Sequence, residues 1–170
     1  STDETIEYVV NGKADFGLVS MEEAHPKLSI EHLYNESMFV ICASDHELAR
    51  KRKVSWELLA DYPQISLHST FSTRRTIDRV FASRHLTYST SVEVGTVLSA
   101  ISFAKARLGV TVLPGYVREF VSELGLVARA LPCEGVEHPI SLITRWNARL
   151  STPAECLLDS VRKRLAAARA

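Results

Sequence analysis

The sequence is short of cysteine, of net charge and of long apolar runs, and each shortage removes a class of protein. Its three cysteines, Cys42, Cys133 and Cys156, are odd in number, far apart and outside any Cys-x-x-Cys spacing. That argues against a disulfide framework or a zinc ribbon and favours a reducing, cytoplasmic setting. Twenty Lys+Arg balance twenty Asp+Glu, so no overall field holds the chain on DNA, RNA or an anionic membrane. Nucleic-acid binding by this chain alone is therefore not expected. The longest apolar runs, such as Phe39 to Ala43, fall far short of the ~20 residues of a spanning helix. The acidic start at Asp3 and Glu4 lacks the basic-then-apolar plan of a signal peptide, and no membrane span is expected.

What remains is ordinary globular composition: 170 residues, 46% hydrophobic and 24% charged, enough for about one domain with a real core. The patterning is α/β. Ser1-Thr-Asp-Glu4 has capping-box spacing and Gly12 is a natural stop, which predicts a helix over 2–11. Strands are predicted over 14–20, 37–43, 64–68, 91–94, 109–113, 126–130 and 140–145 from short apolar or β-branched runs bounded by turn residues. Between them, helices are expected at 46–50, at 55–60 behind Ser55, at 72–84 behind Ser72, at 96–107 and at 116–123. Thr152-Pro-Ala-Glu155 opens a last helix with cap, first-turn proline and capping-box glutamate. There is no internal repeat and no low-complexity linker.

Four segments taken together resemble a known family: Val9-Val-Asn-Gly-Lys-Ala-Asp-Phe-Gly-Leu-Val19, Ser44-Asp-His-Glu-Leu-Ala49, Leu108-Gly-Val-Thr-Val-Leu-Pro114 and Leu150-Ser-Thr-Pro-Ala154. Each is weak alone, but their order and spacing resemble the effector-binding domain of LysR-type transcriptional regulators. The resemblance implies an α/β, two-lobed periplasmic-binding-protein-like (type 2) fold, with a small-molecule effector in the cleft between the lobes. Mapped on this chain, lobe 1 is 1–65 plus 142–170 and lobe 2 is 66–141. In the family a winged helix-turn-helix, a linker helix and a strand–helix–strand unit come before the position of Ser1, which implies that lobe 1 is incomplete. It implies too that DNA is contacted only through the N-terminal module, and that the protein works as a homodimer or tetramer. The helix 116–123, with Val117, Phe120, Val121 and Leu124 at helical spacing, resembles one half of the family's pairing surface.

Effector chemistry follows from helix N-termini and strand ends, where N–H groups and the dipole attract a carboxylate or other anion. Thr2 and Ser20, on the first helix and the strand after it, resemble effector-contacting positions. So do His68, Ser69 and Thr70 at the lobe crossover, and Pro114 and Tyr116 after the 109–113 strand. Hydroxyls donate and accept, so the ligand class stays open, a carboxylate included. Structural roles compete at each place. Ser72 is first a helix cap, Pro114 a strand terminator, and Tyr116 a packing aromatic. His68 has no evident carboxylate partner, and Arg74 and Arg75 are expected in solvent even though the helix dipole disfavours cations in a first turn.

Catalytic signals are poor. Ser160-Val-Arg-Lys163 has the Ser-x-x-Lys spacing of penicillin-recognising enzymes but no companion motif. Gly12 to Gly17 lacks the Lys-Ser/Thr of a phosphate loop. His25 and His32 lack partners at zinc spacing, so neither metal nor cofactor is expected, and no catalytic residue is assigned. The run Arg50-Lys-Arg-Lys53 reads first as a solvated helix end. Two function classes follow: an effector-sensing regulatory domain, and a solute-binding protein or enzyme on the same fold.

Overall fold

Apolar residues at alternating positions of the central strand decide the architecture. In a computed structural model describing residues 1–167 apart from Glu22 and Glu137, the chain forms two compact units. The larger is Tyr34–Pro139; the smaller is Thr2–Leu33 with the chain from Ile140 onward.

In the larger unit, strand β3 (Met38–Ala43) pairs antiparallel with β6 (Thr111–Pro114) on one side and with β7 (Leu126–Ala130) on the other. Strand β4 (Gln64–Leu67) pairs parallel with β5 (Thr90–Val94) and meets the start of β6 through Gln64 and Val110. Met38, Val40 and Cys42 point to one face and pack with Leu48, Trp56, Leu59, Val112 and, from α4 (Ser72–Ser83), Ile77, Val80 and Phe81. Ile41 points to the other, with Ile65, Leu67 and Leu113. There the covering groups are Ala100, Ile101 and Ala104 of α5 (Val97–Lys105) and Val121 of α6 (Arg118–Glu123). Helices on both faces of this mixed parallel and antiparallel arrangement explain why β3, β4 and β6 are apolar almost throughout. Trp56 is buried, donates from Nε1 to Pro132 O at 3.1 Å, and meets Phe81 edge-on with centroids 5.9 Å apart. Gly109, at φ 149°, is fixed by a close approach: a Cβ there would lie 2.5 Å from the Pro63 carbonyl oxygen.

In the smaller unit, β1 (Phe16–Val19) pairs antiparallel with β8 (Pro139–Arg145), and β8 is flanked on its other side by β2 (Leu28–Asn35). Val9 of α1 (Thr2–Val10) packs with Val19, Leu28 and Ile143. The terminal helix α7 (Thr152–Ala167) buries Ala154 and Leu158 but leaves Leu157 exposed. Among the described residues no helix is long and apolar enough to cross a membrane.

Several expectations are corrected. Strand β2 was not anticipated, because Ser29, Glu31 and His32 break its apolar run and are exposed. Ser72 is the first residue of α4 rather than its cap; Phe71 precedes it, without a side-chain cap bond. The cap of α7 is Ser151, whose Oγ accepts from Ala154 N at 3.4 Å, one residue before the expected Thr152. Pro114 ends β6 from within, paired with Met38. Val117 and Val121 serve the unit's own core, leaving Phe120 as the exposed member of that helical stripe. Residues 34–65, expected with lobe 1, belong to the larger unit because β3 is hydrogen-bonded between β6 and β7.

Candidate functional site

The parallel strands β4, β5 and β6 end at Leu67, Val94 and Pro114, and β3 starts at the same edge because it runs the other way. The carboxyl edge of such a sheet is where α/β folds place ligands. Two helices of the unit begin there: α4 after a turn at 68–71, and α5 behind Thr96, whose Oγ1 accepts from Ser99 N at 3.0 Å. Their N-terminal dipole ends favour an anion on that side.

The 68–71 turn is built by His68. Its N–H donates to Val94 O at 2.9 Å, and its carbonyl accepts from Phe71 N at 3.0 Å. The ring Nδ1 accepts from Thr70 N at 3.4 Å and lies 3.2 Å from Thr70 Oγ1. With Nδ1 in use as acceptor, Nε2 carries the ring proton, and it faces Glu93 Oε1 at 3.9 Å. His68 therefore does have a carboxylate partner. His68, Ser69 and Thr70 are all exposed.

Beneath the turn, Arg74 is the tie. Its Nε donates to both carboxylate oxygens of Asp78 at 2.9 and 3.0 Å, and its Nη1 to Leu67 O at 3.1 Å and Glu93 Oε2 at 3.2 Å. Its side chain is only 19% exposed, which overturns the expectation of a solvated arginine. Burial works against its charge, but Asp78, Tyr88 and Glu93 outweigh burial and hold its pKa above the usual. Tyr88 donates to Asp78 Oδ1 at 2.5 Å, and burial followed by that bond pushes its phenol up to about 12. Arg75 is exposed as expected and donates to the Ser69 and Thr70 carbonyls at 3.4 and 3.1 Å.

At the β6 end, Gly115 N donates to Ser37 O at 2.8 Å. A Cβ on Gly115 would sit 2.9 Å from both Glu36 Oε1 and Phe39 Cε2, so a larger residue there would require those two side chains to shift. Pro114 is buried and Tyr116 is 61% exposed. The Glu36 carboxylate accepts from Ser37 N at 2.9 Å, while burial raises its pKa. Local packing, then the charges of Glu36 and Tyr34, raise the Tyr116 pKa.

The structure thus brings His68, Ser69 and Thr70 together in one turn and sets Pro114 and Tyr116 on the same sheet edge. Thr2, the first residue of α1, and Ser20, just after β1, are half-buried in the smaller unit. Sequence reasoning missed Glu93, Glu36 and the tying role of Arg74. Only Glu93 had a signal, since Val92-Glu-Val94 alternation turns it away from the face that holds the valines.

Other candidates carry less chemistry. Ser160 Oγ donates to Cys156 O at 2.9 Å within α7. His25 Nδ1 accepts from Lys27 N. Among the described residues no group of three or more His, Cys, Asp or Glu is placed to hold a metal ion. All three cysteines are free, and burial pushes the Cys42 thiol up to about 11. A groove of about 440 Å³ in the smaller unit is lined in part by Glu31 and Arg162, but these two pair with each other at 2.6 Å.

The family model described as LysR substrate binding domain matches residues 1–166. The uncharacterized HTH-type transcriptional regulator YbhD of Escherichia coli (strain K12) is 26% identical over 154 residues, 91% of this chain and 49% of that protein. The chain spans about half the length of the curated relatives it matches. Among solved structures, the effector binding domain of QuiR in complex with shikimate superposes with a TM-score of 0.80 at 20% identity. The match covers 94% of this chain and 75% of that one. The BenM effector binding domain with its effector benzoate gives 0.78 at 21% identity, over 98% and 76%. The fold is accordingly that of the LysR effector-binding domains, two-lobed and periplasmic-binding-protein-like.

Proposed function

We propose, because this chain belongs to the LysR substrate binding domain family, that it is the effector-sensing part of a LysR-type transcription regulator. A small carboxylate binds at the carboxyl edge of the larger unit's sheet, and the change is read out by a DNA-binding module elsewhere in the whole regulator. The observation that carries the site is the His68–Thr70 turn. It presents two hydroxyls and an imidazole in front of α4, whose preceding residue Phe71 offers no side-chain cap. First-turn amides facing such a turn suit a carboxylate, which accepts from N–H and O–H donors alike. Shikimate and benzoate, named for two structural neighbours, are carboxylates, and this chemistry is extended here to the present chain.

On this reading the two compact units are the two lobes. His68, Ser69, Thr70, Pro114 and Tyr116 are proposed effector contacts within the larger unit, and Thr2 and Ser20 are proposed contacts within the smaller. The protein works in the cytoplasm as a homodimer or tetramer, with a regulatory rather than a catalytic role, and its response is a shift between states that the effector binds unequally.

Calorimetric titration of shikimate and benzoate into this chain, Thr70→Ala and Tyr116→Ala tests the site. Each variant should weaken binding several-fold, about 1 kcal/mol for one side-chain hydrogen bond, with an unchanged circular dichroism spectrum. Unchanged affinity in both variants would put the effector elsewhere.

A further inference from the structure

We infer that the basic run Arg50–Lys53 is a second contact surface, one that grips the phosphate backbone of duplex DNA without reading its sequence. All four side chains are exposed. The backbone beneath them is anchored at both ends: Leu48 and Ala49 of α2 (Glu47–Arg50) are buried on one side, and Val54 and Trp56 on the other. Lys51 closes α2 with its N–H on Leu48 O at 3.2 Å and turns to extended backbone, φ −70° and ψ 132°. Ala49 O in turn receives Arg129, which donates from Nε at 3.1 Å and also from Nη2. A fifth cation, the guanidinium of Arg129, thus lies at the foot of the run.

The nearby carboxylates are engaged elsewhere. Asp45 is held by Arg107 at 2.7 Å, Glu57 faces Arg84 at 3.7 Å, and the Glu47 carboxylate lies by Tyr62, where it adds to burial in raising the phenol's pKa. Among the described residues, none of the four cations makes an ion pair with a carboxylate. In a chain whose charges cancel overall, four adjacent cations are a local excess. Such an excess is self-repelling until a polyanion meets it.

Arg50 ends α2, Lys51 is extended and Arg52 lies in a bend, so the four long side chains fan out from one short surface segment and together can reach neighbouring phosphates. DNA is favoured over an anionic bilayer because the flanking apolar residues Leu48 and Val54 are buried, leaving no apolar anchor to enter the lipid interface. The relatives that the chain matches are HTH-type transcriptional regulators of about twice its length, so a regulator would meet DNA. The inference rests on the regulator reading only in that choice of polyanion. Effector binding is measured separately and can stand or fall without it.

Fluorescence anisotropy of this chain on a labelled duplex of about 20 base pairs and arbitrary sequence, at salt from about 25 to about 200 mM, tests it. Four phosphate contacts predict a log–log salt slope near −3.6, at about −0.9 per contact. The variant with Ala at 50, 51, 52 and 53 should lose about tenfold or more in affinity at low salt and flatten the slope. Lys51→Glu with Lys53→Glu, a smaller change to exposed side chains, should do the same. A control with Ala at Lys27, Arg79, Lys105 and Arg149, equal in charge lost and exposed throughout, should stay within about twofold of wild type. Equal losses in the control would overturn the inference. So would unchanged binding in the run variants, no duplex binding at low salt, or binding to vesicles of phosphatidylcholine with phosphatidylserine but not to duplex.

Discussion

His138 Nδ1 lies 3.2 Å from Thr76 Oγ1 in the interior of the larger unit, where the imidazole is 2% exposed. Its carbonyl accepts from Glu36 N at 2.9 Å. One residue thus joins α4, the helix behind the His68–Thr70 turn, to the segment that leads into β3. Burial drives the His138 pKa down to about 4.

A pH dependence follows, with its sign fixed by linkage. The unfolded chain binds the His138 proton near pH 6.5, whereas the folded chain keeps the ring neutral down to about 4. The stability this residue contributes is therefore full above about pH 6.5 and is lost as pH falls from there towards 4. At pH 5 the loss is about 2 kcal/mol. Urea unfolding at neutral pH and at pH 5 should show that extra drop in wild type and not in His138→Gln. An identical drop in both proteins would mean that other groups carry the acid sensitivity.

Arg74 makes a second prediction. Removing its guanidinium leaves the Leu67 carbonyl without that donor and sets the Asp78 and Glu93 carboxylates free of their cation. Both carboxylates are about half exposed, so water recovers part of the loss, and Arg74→Ala should cost about 2 kcal/mol. Arg74→Lys should recover only part of this, since an ammonium cannot reproduce the fork that spans Asp78 and Leu67. Thermal unfolding of the two variants measures it, and a Lys variant as stable as wild type would show that charge rather than geometry matters here.

Local chemistry was legible in the sequence wherever one residue settles it. Ser55 caps its helix through Leu58 N at 3.2 Å and Thr96 caps α5, because a hydroxyl before an apolar helical stripe has few other uses. The strand 126–130 appears with its expected bounds. Pairing between distant segments was not legible. Glu93 reaches His68 and Arg74 only because β5 runs parallel to β4 with Ser66 opposite Glu93, a register that the 64–68 and 91–94 segments do not display separately. The same holds for residues 34–65. Their unit is decided by β3 lying between β6 and β7, and an apolar strand gives no sign of its neighbours. The polar strand β2 shows the converse limit, since alternation fails when a strand is only partly covered.

The effector edge itself is tested most directly by mapping backbone amide shifts of this chain during titration with shikimate and benzoate. Saturable shifts should centre on Ser69, Thr70 and Tyr116 with at least one of the two acids, and should weaken together in Thr70→Ala. Shifts that centre instead on the Glu31 and Arg162 groove of the smaller unit, or amides at 69, 70 and 116 that neither acid moves, would contradict the assignment of that edge as a carboxylate effector site.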